Sequence, residues 1–277
     1  MLRSILLALD DTPASVAAKR LALSLAAKAG ASVTGLAVID PQVIAPPEAT
    51  PMGAGAYKEH KDAVLIARAE SAAGKLVDVF TANGDEAKVR TLASVVTGEV
   101  LEAMIAASDL HDLIVGGIDT SFDENASGRV SSFIARLLHG NPRPVVVCPQ
   151  EPHVGSRVLV AYDGSVPAMR AIQLFCCLGL WKTSETLVVS IGENMEATAA
   201  LSARGAKFMS DHGYQASTIS LPLTDNPAAA LIKVARDNGA GLIVAGAYGH
   251  RGWREWLLGS TTMRLIEASS LPLFLHH

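Results

Sequence analysis

The chain has 277 residues, nearly twice the ~150 of a typical domain, which leads to an expectation of two domains or one large α/β domain. With 49% hydrophobic and 18% charged residues it can build a core, and disorder, collagen-like repeats and a coiled coil are excluded. The 23 basic and 27 acidic side chains give a formal charge of -4 with no basic block, which argues against sequence-independent nucleic-acid binding.

At the N-terminus Arg3 precedes only the apolar run Ile5 to Leu9 before Asp10 and Asp11, too short for a signal peptide. No stretch reaches the roughly 18 apolar residues of a membrane span, so a cytoplasmic protein without a membrane partner is expected. Cys148, Cys176 and Cys177 form no CxxC pair. They read as buried free thiols in a reducing compartment.

The chain repeats itself. "SILLALDDTPAS" at Ser4 to Ser15 returns as "RVLVAYDGSVPA" at Arg157 to Ala168, "DLIVGG" at Asp112 to Gly117 as "GLIVAG" at Gly241 to Gly246, and "RPVVVCP" at Arg143 to Pro149 as "LPLFLHH" at Leu271 to His277. Three echoes in one order mean two copies of one domain, assigned to residues 1–150 and 156–277. In the first copy the stretch between Asp40 and His60, rich in Pro, Ala and Gly, has no helical or strand period and reads as a long loop. The second copy predicts strands at Val158 to Tyr162, Thr186 to Ile191, Ala216 to Leu221, Leu242 to Ala245 and Leu273 to Leu275. Between them fall helices at about Pro167 to Leu180, Asn194 to His212, Asn226 to Asn238 and Ser260 to Ser269. Asn226-Pro227 supplies an N-cap followed by proline at the first helical position, and Gly239 supplies the stop. The short, wholly apolar strands suit a parallel sheet covered on both faces, so each copy is a five-stranded α/β domain.

Ligands of open α/β sheets bind beyond the carboxyl ends of strands where the strand order reverses. With the first and fourth strands as central neighbours, Asp163 and Gly246 meet there. The following loop, "GAYGHRGWREWLLGSTT", has glycines where backbone must approach a ligand, and Gly259-Ser260 opens a helix whose amides and dipole favour a phosphate. Ser260 and Thr261 add hydroxyl donors. Asp163 either accepts hydrogen bonds from a ribose or adenine or caps the following turn. The glycines can alternatively serve packing, and His250 and Arg251 can face solvent. Trp253 and Trp256 are read as covering apolar surface, and His276 and His277 as an exposed tail without a metal role.

The spacing of Gly246, Gly249, Gly259 and Ser260 resembles the G-x2-G-x9-G-[ST] nucleotide loop of the ATP-binding branch of the universal stress protein family. The likeness covers essentially the whole chain as a tandem of two such domains. It implies two Rossmann-like folds of the adenine nucleotide alpha hydrolase type and a stress-response protein that binds ATP, with or without Mg2+, in its second copy and signals to a regulatory protein. Carried over by position, Asp163 and the backbone near Ala161 and Ile191 hold the adenosine, and Gly246, Gly249, His250, Gly259, Ser260 and Thr261 hold the ribose and phosphates. No catalytic residues are assigned: no Walker lysine follows the glycines, and hydrolysis is expected to be slow at most. The SGGxDS and HxGH motifs of ATP pyrophosphatases and adenylyltransferases are absent.

The first copy departs from the motif. Thr120 falls at the second glycine, and Ser131-Ser132 fall at Gly259-Ser260 with one inserted residue. Asp119, Asp123 and Glu124 would repel phosphates, so this copy is not expected to bind ATP, although Asp10 corresponds to Asp163. An alternative role is a scaffold binding an apolar or acidic metabolite through the first copy. The family resemblance also implies that the final strands, Val145 to Cys148 and Leu273 to Leu275, pair across an internal pseudo-dimer, with homodimerisation of the whole chain as a further expectation.

Overall fold

The computed structural model describes residues 1–48, 54–120, 130–247 and 259–277. Its first half runs β1 (Ser4–Ala8), α1 (Pro13–Ala29), β2 (Ser32–Ile39), α2 (Pro41–Ile44), α3 (Gly55–Ala87), β3 (Thr91–Thr97), α4 (Val100–Ser108), β4 (Leu113–Gly117), α5 (Val130–Gly140) and β5 (Val145–Cys148). The second half runs β6 (Arg157–Ala161), α6 (Val166–Leu178), β7 (Glu185–Gly192), α7 (Met195–Asp211), β8 (Gln215–Pro222), α8 (Pro227–Asp237), β9 (Ala240–Gly246), α9 (Ser260–Ala268) and β10 (Leu273–His276).

Local chemistry sets the helix ends. Thr12, Ser165, Asn194 and Asn226 each accept a backbone N–H with their side chains at the starts of α1, α6, α7 and α8, and Pro13 and Pro227 occupy first helical positions. Beyond α8, Gly239 takes a φ of 65°, a left-handed conformation that stops the helix at little cost.

All ten strands join one sheet in the order β3-β2-β1-β4-β5-β10-β9-β6-β7-β8. Within each half every pairing is parallel, with β1 beside β4 and β6 beside β9, the doubly wound arrangement. At the centre β5 and β10 pair antiparallel, Val145 opposite Leu275 and Val147 opposite Leu273. The two halves are thus an internal pseudo-dimer joined edge to edge, as the family resemblance implies. One core lies under α1, α3, α6 and α7 and includes Val146 and Phe274; the other lies under α4, α5, α8 and α9 and includes Val145, Val147, Leu273 and Leu275. Both cross the seam. Phe274 is fully buried with its ring edge-on to Phe175, the centroids 5.4 Å apart, and burial of such a side chain contributes about 2 kcal/mol.

Three sequence expectations are corrected. The stretch after Asp40 is not simply a loop: the Asp40 carboxylate accepts from the Gln42 N–H at 2.9 Å and, with Pro41 at the first helical position, starts the turn α2. Gly55 then opens α3, whose 33 residues stand where α7 has 17, so much of the extra length of the first copy is helix. Residues 49–53 of that stretch lie outside the described residues. His276 is no exposed tail: it belongs to β10, pairs with Gly246 of β9 and is buried, because the strand continues to the edge of the core. Cys148 and Cys176 are buried thiols, but Cys177 is exposed, since its neighbour takes the inward face of α6. Among the described residues no helix is long and apolar enough to cross a membrane.

Candidate functional site

The carboxyl ends of β6, β7 and β9 surround a cavity of about 490 Å3 in the second half. One end is apolar, formed by Ala161, Val189, Ile191, Leu223, Pro227 and Leu231. The other is polar, formed by Asp163, Ser165, Gly246 and the start of α9 with Gly259, Ser260, Thr261 and Thr262. Ala161, Asp163, Ile191, Gly246, Gly259, Ser260 and Thr261, the described members of the sequence-derived set, therefore share one cavity. Gly249 and His250 lie outside the described residues, as do Arg251, Trp253 and Trp256.

The polar end follows from backbone geometry. The helix α9 starts at Gly259 with no side-chain cap among the described residues, so its first-turn N–H groups have no intrahelical acceptor and face the cavity mouth. Thr262 Oγ1 donates to the Gly246 carbonyl at 2.9 Å, tying the first turn of α9 to the end of β9. A Cβ on Gly246 would lie 2.5 Å from Ala168 N and 2.8 Å from the Pro167 carbonyl carbon, so only glycine lets β9 approach the first turn of α6 this closely. Asp163 is exposed, and its Oδ1 accepts from the Ser165 N–H at 2.9 Å. This is a turn contact of the kind the alternative reading describes, and it fixes the carboxylate at the cavity.

The sequence did not single out Val189, Leu223, Pro227, Leu231 or Thr262. Pro227 carries the local signal of a helix start, and Leu223 lies just past a strand. The threonine pair after Ser260 was the available signal for Thr262.

In the first half the equivalent strand ends are tied by their own side chains. Thr120 is buried, and its Oγ1 accepts from the Gly117 N–H at 3.0 Å. Asp119 Oδ2 accepts from Ala14 N at 3.4 Å and Gln150 Nε2 at 3.2 Å, placing a carboxylate at the N-terminus of α1. Asp10 Oδ1 accepts from both N–H and hydroxyl of Thr12, while Oδ2 is buried with no hydrogen-bond partner. Burial raises the Asp10 pKa above the ordinary carboxylate value. Asp123 and Glu124 lie outside the described residues.

Two other concavities bear on the choice of site. A groove of about 670 Å3 between α8 and α9 is larger, but its cations are engaged: Lys233 with Asp237, Arg236 with Ser270 and Arg264 with the Asp225 carbonyl. No strand residue is among its lining. In the first half a cavity of about 380 Å3 opens between α1 and α3, with Asp10, Lys19 and Lys75 among its walls. No group of three or more His, Cys, Asp or Glu side chains among the described residues could hold a metal ion.

Comparison with known proteins agrees with this architecture. A universal stress protein of Synechocystis sp. is 25% identical over 179 residues, which cover 64% of this chain and 62%, less than two thirds, of that protein. The crystal structure of a universal stress protein from Archaeoglobus fulgidus superposes with a TM-score of 0.70 at 21% identity, covering 99% of this chain and 95% of its own. A Pseudomonas aeruginosa protein of unknown function superposes with a TM-score of 0.58 at 16% identity, covering 99% and 92%. These structures share the fold. The sequence profile of the universal stress protein family matches residues 1–149 and 186–276, and with both segments falling on the two halves of the sheet, the chain belongs to the universal stress protein family.

Proposed function

We propose that the second half binds ATP in the cavity between β6 and β9, and that occupancy of this site regulates a cytoplasmic partner protein. Family membership supports a stress-response role. The carrying observation is the convergence, around one cavity, of an apolar slot, the Asp163 carboxylate and the uncapped first turn of α9. An adenine suits the slot formed by Val189, Ile191 and Leu231, a ribose reaches Asp163, and phosphates meet the amides of Ser260 and Thr261. The loop containing Gly249 and His250 completes the phosphate site in this reading. Asp163 is the only carboxylate among the described lining residues, so Mg2+ would arrive with the nucleotide rather than being held by a carboxylate pair. Turnover is not required for such a role.

Isothermal titration tests it: one ATP per chain is expected, Gly249→Asp should abolish binding with the fold intact, and Asp163→Ala should weaken it. Two equivalent sites per chain, or full affinity in Gly249→Asp, would refute the assignment. The cavity between α1 and α3, mostly apolar and with Lys19 and Lys75 set beside Asp10 and Asp11, supports a second role in which the first half takes an apolar or acidic metabolite.

A further inference from the structure

The ten-stranded sheet has two edges, and they differ. Neither edge strand carries a charge, but β8 ends in Pro222 and exposes no large hydrophobic side chain, whereas β3, "TLASVVT", has no proline along its length. Leu92 (53% exposed), Val95 (42%) and Val96 (39%) stand in solvent on this strand. α3 covers one face of β3, while α4, on the other face, packs over β1 and β2 and leaves the side of Leu92 and Val96 bare. Such an edge is a template for strand addition, which proteins usually blunt with charges, proline or a covering segment.

The register shows which partner fits. Val33 N donates to the Arg90 carbonyl and Gly98 N to the Ile39 carbonyl, so the even-numbered residues of this strand direct their backbone groups toward β2. The N–H and C=O groups of Thr91, Ala93, Val95 and Thr97 consequently point off the sheet. From these features we infer that β3 is the pairing edge for a second copy of this chain, the two β3 strands adding antiparallel about a two-fold axis at Ser94.

That register is self-complementary. Ala93 meets the second copy's Val95 and Thr91 its Thr97 as hydrogen-bonded pairs, which satisfies every outward backbone group of the four residues. Leu92 meets the second copy's Val96 as a close, non-hydrogen-bonded pair, covering the bare apolar stripe. Exposed Arg90 precedes the strand and exposed Glu99, whose carboxylate also caps α4 and lies 4.0 Å from Arg136, follows it, so antiparallel addition brings opposite charges together at both ends, whereas parallel addition would align like charges. The pairing extends to a second chain the edge-to-edge joint that β5 and β10 already form within one, and yields a twenty-stranded sheet.

The test combines sedimentation with site-specific oxidation in a Cys177→Ser background, since Cys177 is the exposed thiol. The parent chain should form a concentration-dependent dimer. Val95→Pro deletes an outward N–H while sparing the ladder to β2, and should give a monomer with unchanged melting temperature. Leu92→Lys should do the same by side-chain charge, and serves if the proline variant fails to fold. Ser94→Cys places two thiols on the axis at a Cα separation of about 4.5 Å, within disulfide range, and should cross-link on mild oxidation. A chain that stays monomeric to its solubility limit, a dimer that survives the edge variants, or a Ser94→Cys chain that does not cross-link would each overturn the proposal.

Discussion

The Thr262 hydroxyl and the Gly246 carbonyl, 2.9 Å apart, join the two ends of the glycine-rich loop. Thr262 is buried, so the bond is shielded from water and holds the first turn of α9 at a fixed distance from the end of β9. Thr262→Val keeps the shape and removes the donor. The expected result is a loss of about 1 kcal/mol of stability and a several-fold weaker ATP affinity, read by denaturant unfolding and calorimetry. If affinity is unchanged while stability drops, the tie serves the fold alone.

Periodicity and repeats made the strand and helix order and the tandem organisation legible before any coordinates, because short buried strands and capped helices leave strong local signals, whereas the partnership of β5 with β10 was implied by the family resemblance. The polar half of the cavity was legible for the same reason: Asp163, Gly246 and Ser260 sit at strand ends and a helix start. Val189, Leu223 and Leu231 were not, since an apolar residue facing a cavity has the same local pattern as one facing a core. The helical nature of Pro41–Ile44 and Gly55 onward was hidden because proline and glycine carry the composition of a loop, although proline after Asp40 also suits a helix start. That His276 is buried could not be read from two polar residues following an apolar run.

Asp10 and Asp163 occupy equivalent positions with opposite surroundings, one carboxylate buried with an unpartnered oxygen and the other exposed. Because burial raises the Asp10 pKa, the folded state holds its proton more tightly than the unfolded chain, so the charged form becomes a burden as pH rises above the ordinary carboxylate range. Asp10→Asn retains the oxygen that accepts from Thr12 and removes the charge. It should raise the melting temperature at neutral pH, with the gain vanishing near pH 3, while ATP stoichiometry stays at one. A variant less stable at pH 7 would show that the carboxylate has a stabilising role.

His276 provides the opposite slope. Its Nδ1 is buried with no hydrogen-bond partner, and burial first, then the charges of His277 and Arg170, push its pKa down to about 4. Between that value and the ordinary 6.5 the unfolded chain binds more protons than the folded one. Stability from this group is therefore complete above pH 6.5 and is lost as the pH falls toward 4. His276→Leu should flatten the fall in urea midpoint across that window. Since Ala247 N donates to the His276 carbonyl at 2.7 Å, nucleotide affinity in the parent chain should decline over the same range.

The two copies fill equivalent space in opposite ways. In the first half a Cβ on Gly35 would lie 2.5 Å from Leu9 Cδ1 and 2.8 Å from Phe80 Cε1, so the Phe80 ring occupies the volume that a strand side chain would take. In the second half the strand position equivalent to Gly35 is Val188, and the helix supplies Gly205, whose added Cβ would lie 3.0 Å from both Val188 and Tyr162. Large helix side chain over strand glycine has been exchanged for strand valine under helix glycine. Gly35→Val alone should overpack the site and cost about 1–3 kcal/mol, and Phe80→Ala alone should leave a cavity and cost about 3–5 kcal/mol. Together they approach the packing of the second half, so the double variant should be clearly more stable than the sum of the two losses implies. Urea unfolding of the four proteins measures the coupling, and simple additivity would mean that the two positions do not share the volume.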